Sequence, residues 1–374
     1  MDVISLTRKL IQFNTINPPG NEEEIAKYVG GILEDYGFSV DYPKYTKGRL
    51  NVIATKGISK NKKPIVLTGH LDVVPFGAAE WKTNPLEAVI KDGKLYGRGS
   101  TDMKAGVAAM MVAAIKSFEH QSPAGGIKLI FTANEELGCQ GAQHLCDNGY
   151  DIGEASAIIV GEPTSNIPYI GHKGGLYLTA KTTGVTAHSS MPELGDNAIY
   201  KAARAITKIE ELKFDVEKDS LLGYPSINIG KVDGGLNLNS VPDKAEFTID
   251  VRTTKKLENK LAIQIVKDTL GKKVIIEKMV DLNAISTSED NPFIQIVSNV
   301  CSFNYNREGI KKSASFLTDA SVLTPWLNNA PTVIIGPGEP NMAHKTDEYC
   351  YVTKIRESVK IYKEIIEKNS KLYL

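Results

Sequence analysis

Ile65-Val66-Leu67-Thr68-Gly69-His70-Leu71-Asp72 decides how this chain is read. Three apolar residues run into a small polar turn, and the turn delivers an imidazole and a carboxylate. A short apolar run of this kind reads as a strand buried on both faces. Ile127-Lys128-Leu129-Ile130-Phe131 and Ala157-Ile158-Ile159-Val160 repeat the pattern, and Thr332-Val333-Ile334-Ile335 returns to it late in the chain. A helix rich in Ala and Met, from about Lys104 to Phe118, lies between the first two, and a final helix is expected from about Thr353 to Lys368. Buried strands alternating with helices imply an α/β domain with a mostly parallel central sheet. In such sheets the chemistry sits beyond the carboxyl ends of the strands.

Two amphipathic helices precede this frame. Asp2 can cap the first, in which Val3, Leu6, Leu10 and Phe13 recur near helical spacing. Asn17-Pro18-Pro19-Gly20-Asn21 breaks the chain, and the second carries Ile25, Val29, Ile32, Leu33 and Tyr36 up to a stop at Gly37. The texture changes between about Gly175 and Leu282. Half-polar strands are expected over Leu176–Thr183, Ser226–Val232, Lys244–Arg252 and Lys273–Lys278, with helices near Asn197–Leu212 and Leu257–Leu270. That order suggests an α+β ferredoxin-like unit inserted into the first domain. The expected division is 1–175 with 283–374 for the catalytic domain and 176–282 for the insertion. A chain of 374 residues is long enough for two cores.

Polar groups gather where the strands end. His70 and Asp72 follow one strand, Glu135 and Glu136 another, and Glu162 a third; Asp102 follows the turn Tyr96-Gly97-Arg98-Gly99-Ser100-Thr101, and His344 lies in a loop after Ile335. Any one of these alone reads more readily as a cap or a surface residue. Their coincidence at one sheet edge does not. Asp102, Glu136 and Glu162 brought together unneutralised would raise one another's pKa values. Two divalent ions with one hydroxide balance the charge, and imidazole and carboxylate donors without thiolate suit zinc, with cobalt or manganese as substitutes. A carboxylate two residues past His70 can also take the other ring N–H and fix the tautomer.

The whole set of stretches resembles the M20 metallopeptidase family, the group of acetylornithine deacetylase, succinyl-diaminopimelate desuccinylase, aminoacylase-1 and the glutamate carboxypeptidases. The resemblance is carried by Thr68 to Pro75, Leu95 to Lys104, Asn134-Glu135-Glu136, Gly161 to Thr164, Ala187-His188-Ser189-Ser190, Asn239 to Asp243, Asp250-Val251-Arg252 and Ala343 to Glu348, in order along essentially the whole chain. It implies that Asp102 bridges two zinc ions, that His70 and Glu162 complete one site, and that Glu136 and His344 complete the other. It further implies that Asp72 orients His70 and that Glu135 is the general base for a metal-activated water attacking an amide carbonyl. In the insertion it implies that His188 reaches a neighbouring subunit's site, and that Asn239 and Arg252 hold a substrate carboxylate. The function implied is hydrolysis of N-acyl amino acids by a homodimer whose insertion acts as lid and dimerisation domain. A dipeptidase or a glutamate-releasing carboxypeptidase of the same family is the alternative. One departure stands out: the family's glycine before Thr318-Asp319 is Leu317 here. Leucine does not readily take the positive φ open to glycine, so a reshaped pocket is expected.

Bulk properties agree with a small-molecule enzyme. Lys plus Arg and Asp plus Glu number 44 each, which gives no electrostatic reason to expect nucleic acid or an anionic membrane as partner. No run of 18 apolar residues is present, and MDVISLTRKL does not look like a signal peptide. Cys139, Cys146, Cys301 and Cys350 form no CxxC pair and look like reduced thiols of a cytoplasmic protein. His120, His144 and His172 match no catalytic motif.

Overall fold

The computed structural model describes residues 1–150, 152–305 and 309–372. It divides into two compact units. The first comprises Met1–Gly171, Ser286–Ala314 and Thr318–Leu374; the second comprises His172–Ile285 with Ser315–Leu317. The second unit is therefore slightly wider than 176–282. It also takes in a short return of the chain that carries Leu317.

The first unit is built on a six-stranded sheet. Its order is Ser39–Asp41, Val52–Lys56, Ile127–Thr132, Ile65–His70, Ala157–Val160, Thr332–Ile334. The last four run parallel, and every residue of all four is buried. The sheet is nonetheless mixed, because Val52–Lys56 pairs antiparallel with Ile127–Thr132 and Ser39–Asp41 pairs antiparallel with Val52–Lys56. These two strands escape a search for long apolar runs, since one is three residues long and exposed at both ends.

The helix expected from Lys104 runs over Lys104–Lys116, and every residue from Lys104 to Ile115 is buried. A helix apolar all round must be enclosed. It packs on the sheet, on Val3–Ile11 and on the C-terminal helix Val352–Lys371. Its first turn fits only because Gly106 has no side chain. A Cβ there would lie 2.1 Å from the carbonyl oxygen of Gly161, the residue before Glu162. The Val3–Ile11 helix is capped as the sequence suggests, the Asp2 carboxylate accepting the Ser5 N–H at 2.9 Å.

In the second unit the elements follow as Gly174–Thr183, helix Ala198–Glu211, Ser226–Gly234, Lys244–Thr253, helix Asn259–Leu270 and Ile275–Leu282. The four strands form an antiparallel sheet in the order Ser226–Gly234, Lys244–Thr253, Gly174–Thr183, Ile275–Leu282. Alternate residues of the two central strands are buried, and Leu176, Leu178, Phe247 and Ile249 meet Ala202 and Val266 of the two helices. The last strand starts later and runs further than Lys273–Lys278. It keeps its pairing by a bulge: Val280 faces Tyr177 and Lys278 faces Leu178, which leaves Met279 as the extra residue.

Candidate active site

Three adjacent parallel strands end side by side and each delivers its polar residues there. Ile65–His70 ends on His70 itself, Glu135 and Glu136 follow Ile127–Thr132, and Glu162 lies two residues beyond Ala157–Val160. Asp102 sits in the turn before the Lys104–Lys116 helix, and His344 lies in the loop between Thr332–Ile334 and Tyr349–Tyr351. His344 and Asn134 both hold left-handed backbone, with φ 63° and 58°. Such conformations are uncommon outside glycine and gather at functional sites.

The side chains form two triads that share one carboxylate. His70, Asp102 and Glu162 offer ligand atoms all within 4.8 Å of one another, and so do Asp102, Glu136 and His344. Asp102 turns one oxygen to each: Oδ1 lies 3.2 Å from His70 Nε2 and Oδ2 lies 3.4 Å from His344 Nε2. His70 Nε2 is 3.8 Å from Glu162 Oε1, and His344 Nε2 is 3.1 Å from Glu136 Oε2.

The electrostatics call for cations. Burial outweighs the pull of His70 and, with Asp102, Glu135 and Glu136 nearby, holds Glu162 well above the usual carboxylate range. Burial does the same to Glu135, with Asp319, Glu136 and Asp72 adding to it, and burial and Asp102 raise Glu136. Hydrogen bonds to Asp102 and Glu136 lift His344 to about 10. Burial opposes charge on His70, yet Glu162, Asp102, Glu135 and Asp72 together push its pKa well up. The cluster thus draws protons onto both imidazoles and onto its glutamates, charge that divalent ions can supply instead. Glu136 Oε1 is buried with no hydrogen-bond partner, an orphan that a metal ion satisfies. The donor set, imidazole and carboxylate in two triads, fits two such ions.

Asp72 departs from the expected arrangement. His70 Nδ1 lies 2.9 Å from the Asp72 main-chain carbonyl and 3.6 Å from its carboxylate, so the carbonyl rather than the acid is the closer partner. The carboxylate accepts the N–H groups of Glu135 at 3.0 Å and Glu136 at 3.2 Å, and the Asn17 side-chain amide at 2.7 Å. It pins the turn that carries both glutamates. Asn17 bridges on to the Asn134 side chain at 2.7 Å, and the Asn134 N–H donates to Glu22, which is ion-paired with Arg49.

Two further groups were not singled out from sequence. Cys139 lies 3.4 Å from Glu135 Oε1, and burial together with Glu135 and Asp319 keeps its thiol protonated and able to donate. Glu348 is fully buried and accepts the N–H groups of Thr101 and Asp102; burial pushes its carboxyl up to about 7 against the charge of Arg98. Glu348 stands four residues beyond His344, so its neighbourhood was visible, but its partners lie some 250 residues away.

The other three candidate residues lie in the second unit. His188 and Asn239 belong to paired loops, with Ser189 N–H donating to Asn239 O at 3.0 Å and Val241 N–H to Ala187 O at 2.8 Å. Both are exposed. The Ser190 N–H donates to His188 Nδ1 at 3.2 Å, so Nδ1 is the acceptor and Nε2 carries the proton. Arg252 is half-buried over the Tyr177 ring, and its guanidinium faces the Asp250 carboxylate at 2.9 and 3.1 Å. Leu317 is not among the residues with positive φ, so no backbone strain accompanies the lost glycine. Its side chain packs instead where Gly175 lacks one.

The chain is similar to known proteins over most of its length. The chain is 34% identical over 405 residues to a probable succinyl-diaminopimelate desuccinylase of Staphylococcus epidermidis, covering 98% of this chain and 97% of the relative. It is 30% identical to an acetylornithine deacetylase of Vibrio campbellii, covering 88% and 87%. Among solved structures, an M20 family metallo-carboxypeptidase from Sulfolobus solfataricus superposes with a TM-score of 0.83 at 19% identity, covering 99% of this chain and 100% of that one. The model of peptidase family M20/M25/M40 matches residues 66–368, and the chain belongs to that family.

Proposed function

We propose that this protein hydrolyses the amide bond of N-acyl amino acids at a two-zinc centre. The observation that carries the reading is Asp102, whose two oxygens serve two separate histidine–glutamate pairs. His70, Glu162 and Asp102 would hold one ion, and Glu136, His344 and Asp102 the other. Bound ions supply charge neutralisation and Lewis-acid polarisation. Cobalt or manganese can replace zinc with this donor set.

The chain's own groups then handle the proton. Glu135 is buried beside the triads without belonging to either. It takes a proton from the attacking water as the new C–O bond forms, and returns it to the amine nitrogen as the C–N bond breaks. Burial holds its pKa above the usual carboxylate range, which makes its ionised form a stronger proton acceptor. Asp72 and Cys139 hold it in place through the backbone and the carboxylate respectively.

We assign substrate recognition to the second unit, a ferredoxin-like lid. The outward Nε2–H of His188 can donate to the scissile carbonyl, and Arg252 and Asn239 can take the substrate carboxylate, Arg252 exchanging its contact with Asp250. Action of His188 in a partner's site requires a homodimer. A second copy would cover Ile199, Tyr200, Val232, Leu236 and Leu238, which are exposed by between 37% and 100%. No helix among the described residues is long and apolar enough to cross a membrane. The four cysteines are buried thiols, which fits the reducing cytoplasm.

The test is turnover of a panel of N-acetyl and N-succinyl amino acids against dipeptides by zinc-loaded protein. Release of amine from the acyl amino acids is expected. Cleavage of dipeptides alone would move the assignment to the family's peptidases.

A further inference from the structure

One buried carboxylate beside the triads takes no part in the chemistry derived above. Glu348 directs both oxygens at the segment that presents Asp102. Its Oε1 accepts the N–H of Thr101 at 2.7 Å and of Asp102 at 3.0 Å; its Oε2 accepts the N–H of Gly99 at 3.1 Å and the Arg98 guanidinium at 2.6 Å. Four donors use up its acceptor directions, so it is a clamp and not a ligand.

The same turn also donates to the main chain around Glu348. Arg98 also donates to Lys345 O at 3.3 Å, the Gly97 N–H donates to Glu348 O at 3.0 Å, and Thr101 Oγ1 donates to Tyr349 O at 2.6 Å. The loop bearing His344 and the turn bearing Asp102 are thereby joined as one piece, although 246 residues separate Glu348 from Asp102. His344 needs such support more than the other ligands do. Its side chain is 54% exposed, against 1% for His70, and its backbone is left-handed.

We propose that Glu348 is a positioning residue that fixes His344 relative to Asp102, and so governs metal binding selectively at the Asp102–Glu136–His344 site. The inference rests on the two-metal reading above. The His70–Asp102–Glu162 site should depend on it less, because His70 is the last residue of a fully buried strand and Glu162 lies two residues past another.

Glu348→Gln is the informative variant. The side-chain amide keeps one oxygen for Thr101 and Asp102 but turns an NH2 group toward Gly99 N–H and Arg98, donor against donor. Metal-free wild type and variant are titrated with Co2+ against a chromophoric chelator while the visible cobalt bands are followed, and the unfolding midpoint of each metal-free protein is recorded. Wild type should show two binding events. The variant should show one unchanged and one weakened by about 10–100-fold, the usual effect of losing a group that orients a ligand. Two events of wild-type strength overturn the role of Glu348. Equal weakening of both, with a lowered unfolding midpoint, also overturns it, as the mark of general damage. If Glu348→Gln does not fold, Arg98→Lys decides by the same criteria, since an ammonium keeps the charge and loses the fork. Wild type that binds no cobalt overturns the two-metal reading itself.

Discussion

The strand ends of the first unit and the loops of the second hold their functional residues in opposite ways. In the first unit the turns that present Asp102, Glu135 and Glu136 are fixed by groups that lie outside both triads. Asp72 holds the Glu135-Glu136 backbone, Glu348 holds Thr101-Asp102, and Asn17 ties Asp72 to Asn134. In the second unit His188 and Asn239 stand exposed, and Arg252 is held by an acid on its own strand. The contrast fits the tasks proposed for the two units. Metal chemistry tolerates displacements of a few tenths of an ångström and needs rigid support. Recognition of a substrate needs groups that exchange one partner for another.

The largest effects should come from breaking the shared ligand. Removing metal, or making Asp102→Ala, should reduce turnover to background, and zinc or cobalt should restore the stripped wild type but not the variant. Metal content and turnover measured together check this; full activity in thoroughly metal-free protein would sink the mechanism. Next is the base. Glu135→Gln should keep both metals while kcat falls by roughly 10²–10⁴-fold. Loss of metal from Glu135→Gln and not from Glu136→Gln would exchange their roles.

A smaller effect is expected where the partner is exchangeable. A guanidinium matches a carboxylate through two charge-assisted hydrogen bonds, so an N-acyl amino acid should be preferred over its C-terminal amide. Hydrogen bonds to charged groups contribute about 1.5–3 kcal/mol, or a preference of roughly 10–150-fold. Arg252→Ala should erase it, and Arg252→Lys should recover only part, because an ammonium lacks the fork. Equal wild-type rates on acid and amide would refute carboxylate recognition.

The same contrast explains what could be read from the sequence. His70, Glu135, Glu136 and Glu162 follow apolar runs, and the rule that chemistry gathers at strand ends brings them together without knowledge of any contact. Asp102 follows a Gly-rich turn and His344 stands well past the run that ends at Ile335, so these two were legible chiefly through their motifs. Asn17, Glu22, Arg49 and the clamp role of Glu348 were not legible, because their partners, the side chains of Asp72 and Asn134 for Asn17, each other for Glu22 and Arg49, and backbone N–H groups for Glu348, stand well away in sequence and leave no local pattern. Asp72 shows the limit most sharply. Its spacing from His70 suggested that its carboxylate holds the ring; the carbonyl is the closer ring partner, and the carboxylate, 3.6 Å from Nδ1, makes shorter bonds to the backbone of a turn 63 residues later. The antiparallel edge of the main sheet was missed for a similar reason, since strand direction is set by connections and not by apolar content.

The smallest effect concerns Leu317 and asks whether the second unit is as tightly fitted at its core as the first is at its ligands. A Cβ on Gly175 would lie 2.5 Å from Leu317 Cδ1, too close for both to stay in place. The obstacle is the end of a flexible, half-buried side chain, so Gly175→Ala should cost no more than the ~1–3 kcal/mol typical of overpacking. Leu317→Ala removes that obstacle, and the double variant should recover most of the loss, giving a coupling of at least about 0.5 kcal/mol. Gly175 faces Arg252 across the strand pair, so the strain reaches the strand that carries the guanidinium. Gly175→Ala should therefore also raise KM for N-acyl amino acids by a few-fold, and Leu317→Ala should reverse the rise. Denaturant unfolding of the four proteins and their KM values check both parts. Additive stabilities would show that Leu317 does not press on Gly175. An unchanged KM in a destabilised Gly175→Ala would show that the fit at Leu317 serves stability alone.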